Sequence, residues 1–161
     1  MSSGDAYLLD SHVLLWWWFD PDRLLEAVRD AIKDPANPVL VSAATMWELS
    51  LKHHQGTLPE LEDSMADLPG LLQADGFGAL PIALSHGLRA GGYSQAYRDP
   101  FDRMLAAQAE LERLVLITAD PPALLFSLPD PLVNTIRLRT VVRPCAEWAA
   151  ALVVSWEPFS Q

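Results

Sequence analysis

Tyr7-Leu8-Leu9-Asp10-Ser11-His12 is a short apolar run that stops at a carboxylate. An apolar run without polar alternation reads as a parallel strand buried on both faces. Asp10 would then stand at the carboxyl end of that strand, the edge where ligands bind in open α/β sheets. Downstream, Ser11–Phe19 carries Leu14, Leu15 and Trp16-Trp17-Trp18, which suits a short helix buried on several sides or partly exposed at an interface. Asp20-Pro21-Asp22 carries helix-start chemistry, an acid at N-cap and proline in the first turn. Leu24, Leu25, Val28, Ala31 and Ile32 follow at helical spacing, and Asp34–Pro38 ends the segment.

The same pattern then recurs. Val39-Leu40-Val41 is a second apolar strand, and Ser42 is a candidate cap for a helix through about Gln55, stopped by Gly56. Glu48 falls inside that helix and would have to face the mouth of the sheet, with Trp47 turned to the core. Leu61–Leu72 reads as two short helices or one broken at Pro69-Gly70. Ala79–Ile82 is a brief strand, and Pro81 places it at an edge or a strand end. Ser85–Ala90 is helical, Asp99-Pro100 starts a helix to about Glu112, and Val115-Leu116-Ile117 is a strand leading to Asp120. Strands alternating with helices imply an α/β protein with a parallel sheet. Beyond Pro121 only Ile136–Val142, a possible edge strand, and Glu147–Val154, a possible short helix, stand out.

A chain of 161 residues, half of them hydrophobic, implies one domain with a sizeable core. Cys145 is the single cysteine, so an intramolecular disulfide is excluded. No basic segment precedes the first apolar run, and Val13–Phe19 is too short to span a bilayer, so a cytoplasmic protein without membrane contact is expected. The net charge of −10 opposes a polynucleotide substrate, because phosphate contacts need Lys and Arg. A carboxylate cluster that binds divalent cations would account for part of this imbalance, and a basic partner protein for more.

Each acid also has a plainer reading. Asp10 can ligate a metal, act as a phosphorylated nucleophile, or cap the following turn. His12 stands where a haloacid-dehalogenase phosphatase would carry a second Asp. Glu48 taken alone is an ordinary helical glutamate. In Asp99-Pro100-Phe101-Asp102 the first acid is an N-cap, and Asp102 resembles the far member of a capping box. Asp120 before Pro121 suits a turn. The histidines have no zinc-like spacing, and His53-His54 reads as a surface pair near a helix end. Oxygen donors select Mg2+ or Mn2+.

Leu9–Trp17 resembles the opening of PIN-domain toxins of the VapC type, which commonly begin Leu-Asp-Thr-His-Ala-Leu-Leu-Trp. Val41–Lys52 followed by Gly56 resembles the family's Ser-x-x-x-x-Trp-Glu-Ile helix. Arg98–Ala109 is very close to its third motif, and Leu116–Asp120 matches its last. The resemblance implies a PIN-like three-layer α/β fold, with a central parallel sheet of four to five strands flanked by helices. Residues 1–128 would form the nuclease domain and 129–161 a C-terminal extension, an edge strand plus a short helix. The implied activity is that of a metal-dependent endoribonuclease toxin from a toxin–antitoxin pair. Asp10, Glu48, Asp102 and Asp120 would be both the catalytic residues and the ligands of Mg2+ (or Mn2+). Ser11, Thr118 and Arg103 would support them, Asp99 would cap, and His86 matches a recurring position. RNA would be the substrate and an antitoxin protein the partner, with the toxin a homodimer. Ser11 replaces the usual Thr, and Tyr97 stands where the third motif usually has His. The alternatives are a catalytically silent PIN-like module binding protein or RNA, a DNA-directed nuclease, and a phosphoaspartate protein.

Overall fold

Successive residues of a strand point to opposite sides of a sheet, and this chain buries both sides. The computed structural model describes residues 5–93 and 99–119, together with the backbone of 137–140. Its strands are β1 (Tyr7–Leu9), β2 (Val39–Ser42), β3 (Gly78–Leu80), β4 (Val115–Thr118) and β5 (Arg137–Thr140). They form one sheet of order β3-β2-β1-β4-β5, and every pair is parallel. The α/β architecture expected from the alternating pattern is therefore present, with β3 and β5 at the edges. β1 lies at the centre: Leu9 is in register with Val41 on one side and Ile117 on the other.

Tyr7, Leu9, Val39, Val41, Val115 and Ile117 share one core. Leu8 and Leu116 lie in a second core on the opposite face. Among the described residues six helices cover the two faces: α1 (Ser11–Phe19), α2 (Glu26–Lys33), α3 (Ala43–His54), α4 (Leu68–Ala74), α5 (Leu84–Gly91) and α6 (Pro100–Leu111). The first four pack on the Leu9 side, through Val13, Val28, Leu49 and Leu72 among others. On the Leu8 side α6 contributes Leu105 and Ala109. A third cluster, Ala90, Tyr93, Ala106 and Ala107, joins α5 to α6. Full burial of a residue such as Leu8 or Leu9 is worth about 1.5–3 kcal/mol, so the central strand is the most firmly held. Among the described residues no helix is long and apolar enough to cross a membrane.

Local chemistry sets most boundaries as anticipated. Ser42 accepts the Ala44 amide and starts α3, and Gly56, at φ +74°, lets the chain turn after it. Asp99 accepts the amides of Phe101 and Asp102 and starts α6. Two expectations need correction. Asp20-Pro21-Asp22 does not begin the second helix: Pro21–Arg23 is one 3-10 turn without a side-chain cap, and α2 begins at Glu26. Pro69-Gly70 does not break a helix; it lies in the first turn of α4, whose cap Asp67 accepts the Gly70 amide. The helix expected at Glu147–Val154 lies outside the described residues, as do Cys145, Tyr97 and Asp120.

Candidate active site

Parallel β1, β2 and β4 all end at the same edge of the sheet, and their exits carry Asp10, Ser42 and Thr118-Ala119. Asp10 is buried and caps α1, accepting the Val13 amide on Oδ1 at 2.8 Å. Its other oxygen, Oδ2, accepts the Ala119 amide at 3.1 Å. Burial is the largest influence on this carboxyl and raises its pKa above the ordinary 3.8. Hydrogen bonds from Thr118, Val13 and Ala119, and the charge of His12, act in the opposite direction without cancelling it.

Glu48 reaches the same place from α3. It is buried, accepts the Ser11 hydroxyl on Oε2, and pairs on Oε1 with Lys52 Nζ at 2.6 Å. Ser11 follows Asp10 directly, so the two acids are one residue apart through that hydroxyl. The expectation for Trp47 was wrong. Trp47 is 60% exposed and meets Phe101 edge to face at 4.8 Å, while Ala44, Thr45, Glu48 and Leu49 form the inward face of α3. The Thr45 hydroxyl, one turn before Glu48, is buried without a hydrogen-bond partner among the described residues.

Asp102 sits half-buried in the first turn of α6, and Asp99 holds its backbone amide. The Trp47–Phe101 contact joins the residues next to Glu48 and Asp102, and so brings the start of α6 against α3. Among the described residues, however, no three carboxylate, histidine or cysteine side chains converge as a metal-binding group. Asp10 and Glu48 are thus brought together, Asp102 lies on the adjoining element, and Asp120 lies outside the described residues. The oxygen-only donors of the first two, buried and acidic, suit a hard divalent cation by type.

The supporting residues divide. Ser11 and Thr118 bond the acids directly. Arg103 donates to the carbonyls of Ala90 at 2.9 Å, Gly91 at 3.2 Å and Tyr93 at 2.7 Å, fastening the end of α5 to α6. His86 is buried at the start of α5. Its Nδ1 accepts the Ala83 amide at 3.0 Å, and Nε2 donates to Glu112 at 2.8 Å, so it too ties α5 to α6. Sequence reasoning assigned no role to Lys52, although a lysine four residues after a helical glutamate is a recognisable pairing. It assigned none to Gln108 either, which is fully buried, accepts the Ser42 hydroxyl at 2.5 Å and donates to the Pro81 carbonyl at 3.2 Å.

A parallel sheet in this order, with a buried aspartate at the end of its central strand and a buried glutamate from the next helix, defines a three-layer α/β protein with two buried acids at the carboxyl edge of its sheet. The chain belongs to the PIN domain family, whose profile matches residues 7–122. No curated protein sequence matches it significantly. The fold resembles that of VapBC2 from Rickettsia felis bound to a promoter DNA fragment. That match has a TM-score of 0.59 and 14% identity, and covers 84% of this chain and 98% of the other. VapBC-5 from Mycobacterium tuberculosis gives a TM-score of 0.53 at 17% identity, over 86% of this chain and 98% of the other. VapBC-1 from nontypeable Haemophilus influenzae gives 0.52 at 21% identity, over 71% and 87%. At such identities these likenesses establish the fold.

Proposed function

We propose that this PIN-domain protein is a Mg2+- or Mn2+-dependent endoribonuclease, the toxin of a toxin–antitoxin pair. The observation that carries the reading is the buried pair Asp10 and Glu48, joined through Ser11 at the carboxyl edge of the sheet. Asp102 and Asp120 complete the proposed acidic set. Asp10 and Glu48 would hold the cation, with Ser11 and Thr118 fixing the orientation of their oxygens. A bound cation supplies a water of lowered pKa and neutralises charge developing on the phosphate. Lys52 must share Glu48 with that cation or release it. Cleavage would leave a 5′-phosphate and a 3′-hydroxyl. The toxin–antitoxin complexes of similar fold support an antitoxin partner, and the charge of −10 suits a basic one. A homodimer in the cytoplasm is part of the same reading; exposed Leu84 and Leu88 on α5 offer apolar surface for it. We assign residues 1–128 to the nuclease domain and 129–161 to an extension that supplies β5.

One observation favours a second reading, a silent module that binds RNA or protein: Lys52 already neutralises Glu48, as a substitute for a cation would. Cleavage of end-labelled RNA with Mg2+ or Mn2+, set against EDTA, separates the two. Metal-dependent cutting supports the nuclease. Folded protein that binds Mn2+ or RNA without cutting turns the assignment to the module.

Stability gives a second handle. Folded Asp10 keeps its proton at pH values where the unfolded chain has lost it, because its pKa is raised. Its contribution is therefore fully present below the unfolded value and is lost as pH rises through the folded one. A divalent cation bound at Asp10 competes with that proton. At a hundred times its Kd it would add about 2.7 kcal/mol, roughly 5–10 °C in Tm for a chain of this size. Thermal melts at pH 4 and pH 7.5, with and without Mn2+, should show the larger gain at the higher pH. An equal gain at both would remove Asp10 from the ligand set.

A further inference from the structure

A cavity of about 260 Å3 opens beside the acidic pair, between α1, the 3-10 turn after it and the end of α3. Ser11 and Lys52, the two side chains bonded to Glu48, form its inner wall. Its outer wall is aromatic and cationic. The Arg23 guanidinium lies over the Trp16 ring, 5.2 Å from the centroid, and the His12 ring lies 6.1 Å from the same indole. Phe19 lines the cavity too and is exposed. We propose that this cavity is a nucleobase subsite, which takes one unpaired base of a single-stranded RNA next to the bond cut at the acidic pair. The inference rests on the nuclease reading and gives that site its strand preference.

Three properties carry it. The first is continuity: the cavity is lined by Ser11 and Lys52, the two residues whose side chains bond Glu48, so a base seated there would lie beside the acidic pair. The second is shape. Single-stranded bases are held by stacking on aromatic side chains and guanidinium planes, and an exposed guanidinium over an indole offers such a surface. The volume falls just below the range of about 300–1,000 Å3 typical of drug-sized ligands and suits one base. The third is charge. Arg23 and Lys52 bring two cations to the cavity wall in a chain of net charge −10. Two carboxylates also line the cavity. Asp20 is paired with Arg23 at 3.4 Å, and Glu60, on the exposed rim, can accept from a base N–H.

His12 and Arg23 are exposed, so their substitution leaves the core intact. Binding of a fluorescent mixed-sequence 20-nucleotide RNA would be measured in EDTA by anisotropy, and kcat and KM for its cleavage in Mg2+. His12→Ala and Arg23→Ala are each expected to raise Kd and KM about fivefold or more, and Arg23→Ala should leave kcat little changed. Arg23→Lys keeps the charge and loses the planar face, and it should weaken binding nearly as much as Arg23→Ala. The same RNA in a duplex should bind more weakly than the single strand. If the His12→Ala/Arg23→Ala double variant leaves Kd and KM unchanged, or if the duplex binds as well, the subsite is refuted while the nuclease reading stands. If the double variant keeps RNA binding and loses only the antitoxin, the cavity belongs to a protein partner and the proposal is again refuted. Unaltered protein that neither binds nor cuts RNA removes both.

Discussion

An Asp10→Asn chain is expected to cut RNA at least about a thousandfold more slowly than the unaltered protein at saturating Mg2+. The substitution is nearly isosteric, and the remaining carbonyl oxygen can still accept the Val13 amide, so α1 keeps its cap. What disappears is the buried negative charge and the acceptor that faces the Ala119 amide. A melt of the variant separates a lost charge from a lost fold. Glu48→Gln gives an independent result, because Ser11 keeps an acceptor while Lys52 loses its ionic partner. Asp99→Ser is the contrasting case. Asp99 spends one oxygen on two amides at the start of α6, a role serine also fills, so cleavage should stay within about threefold. Equal losses at Asp99 and Asp10 would mean that the effect lies in folding rather than in cation binding.

Gln108→Ala should destabilise the chain by roughly 3–5 kcal/mol, through a cavity in the α6 face and a Ser42 hydroxyl proton left without its acceptor. For a chain of this length that is about 6–20 °C in Tm. Gln108 is the residue through which α6 holds both the β2–α3 junction and the end of β3. Gln108→Leu refills most of the volume without the hydrogen bonds, so the difference between the two melts isolates the polar part. If Gln108→Leu is as stable as the unaltered protein, Ser42 finds another partner and the bridge has no energetic weight.

The three inner strands β1, β2 and β4 were legible because each is built on an uninterrupted apolar run, and such runs are what a sheet buried on both faces requires. Ser42 and Asp99 were legible as helix starts because their side chains do local chemistry, bonding amides two or three residues on. The phase of α3 was not. Trp47 carries the largest apolar surface in its turn, which argues for the core. The helix instead buries Ala44, Thr45 and Leu49 and leaves the indole to Phe101, a partner more than fifty positions away. Asp20-Pro21 misled in the opposite sense, because proline fits the first turn of a 3-10 segment as readily as that of an α-helix. Arg103 and His86 could be read as site residues from their motif positions. The bonds that tie them to α5 and α6, to carbonyls at the end of α5 and to the Glu112 carboxylate, come from tertiary packing that no local pattern encodes.

The central strand sits between β2 and β4, and Asp10 finishes its hydrogen bonding on Ala119, 109 residues later. On the ribosome this separation becomes a delay. At about 5–20 residues per second, roughly 5–20 s pass between the synthesis of the first acid and that of the backbone that completes its setting. Throughout that interval the nascent chain carries Asp10 without the strand and the amide that complete its setting, and a transcript broken before the β4 codons yields a product that cannot supply them.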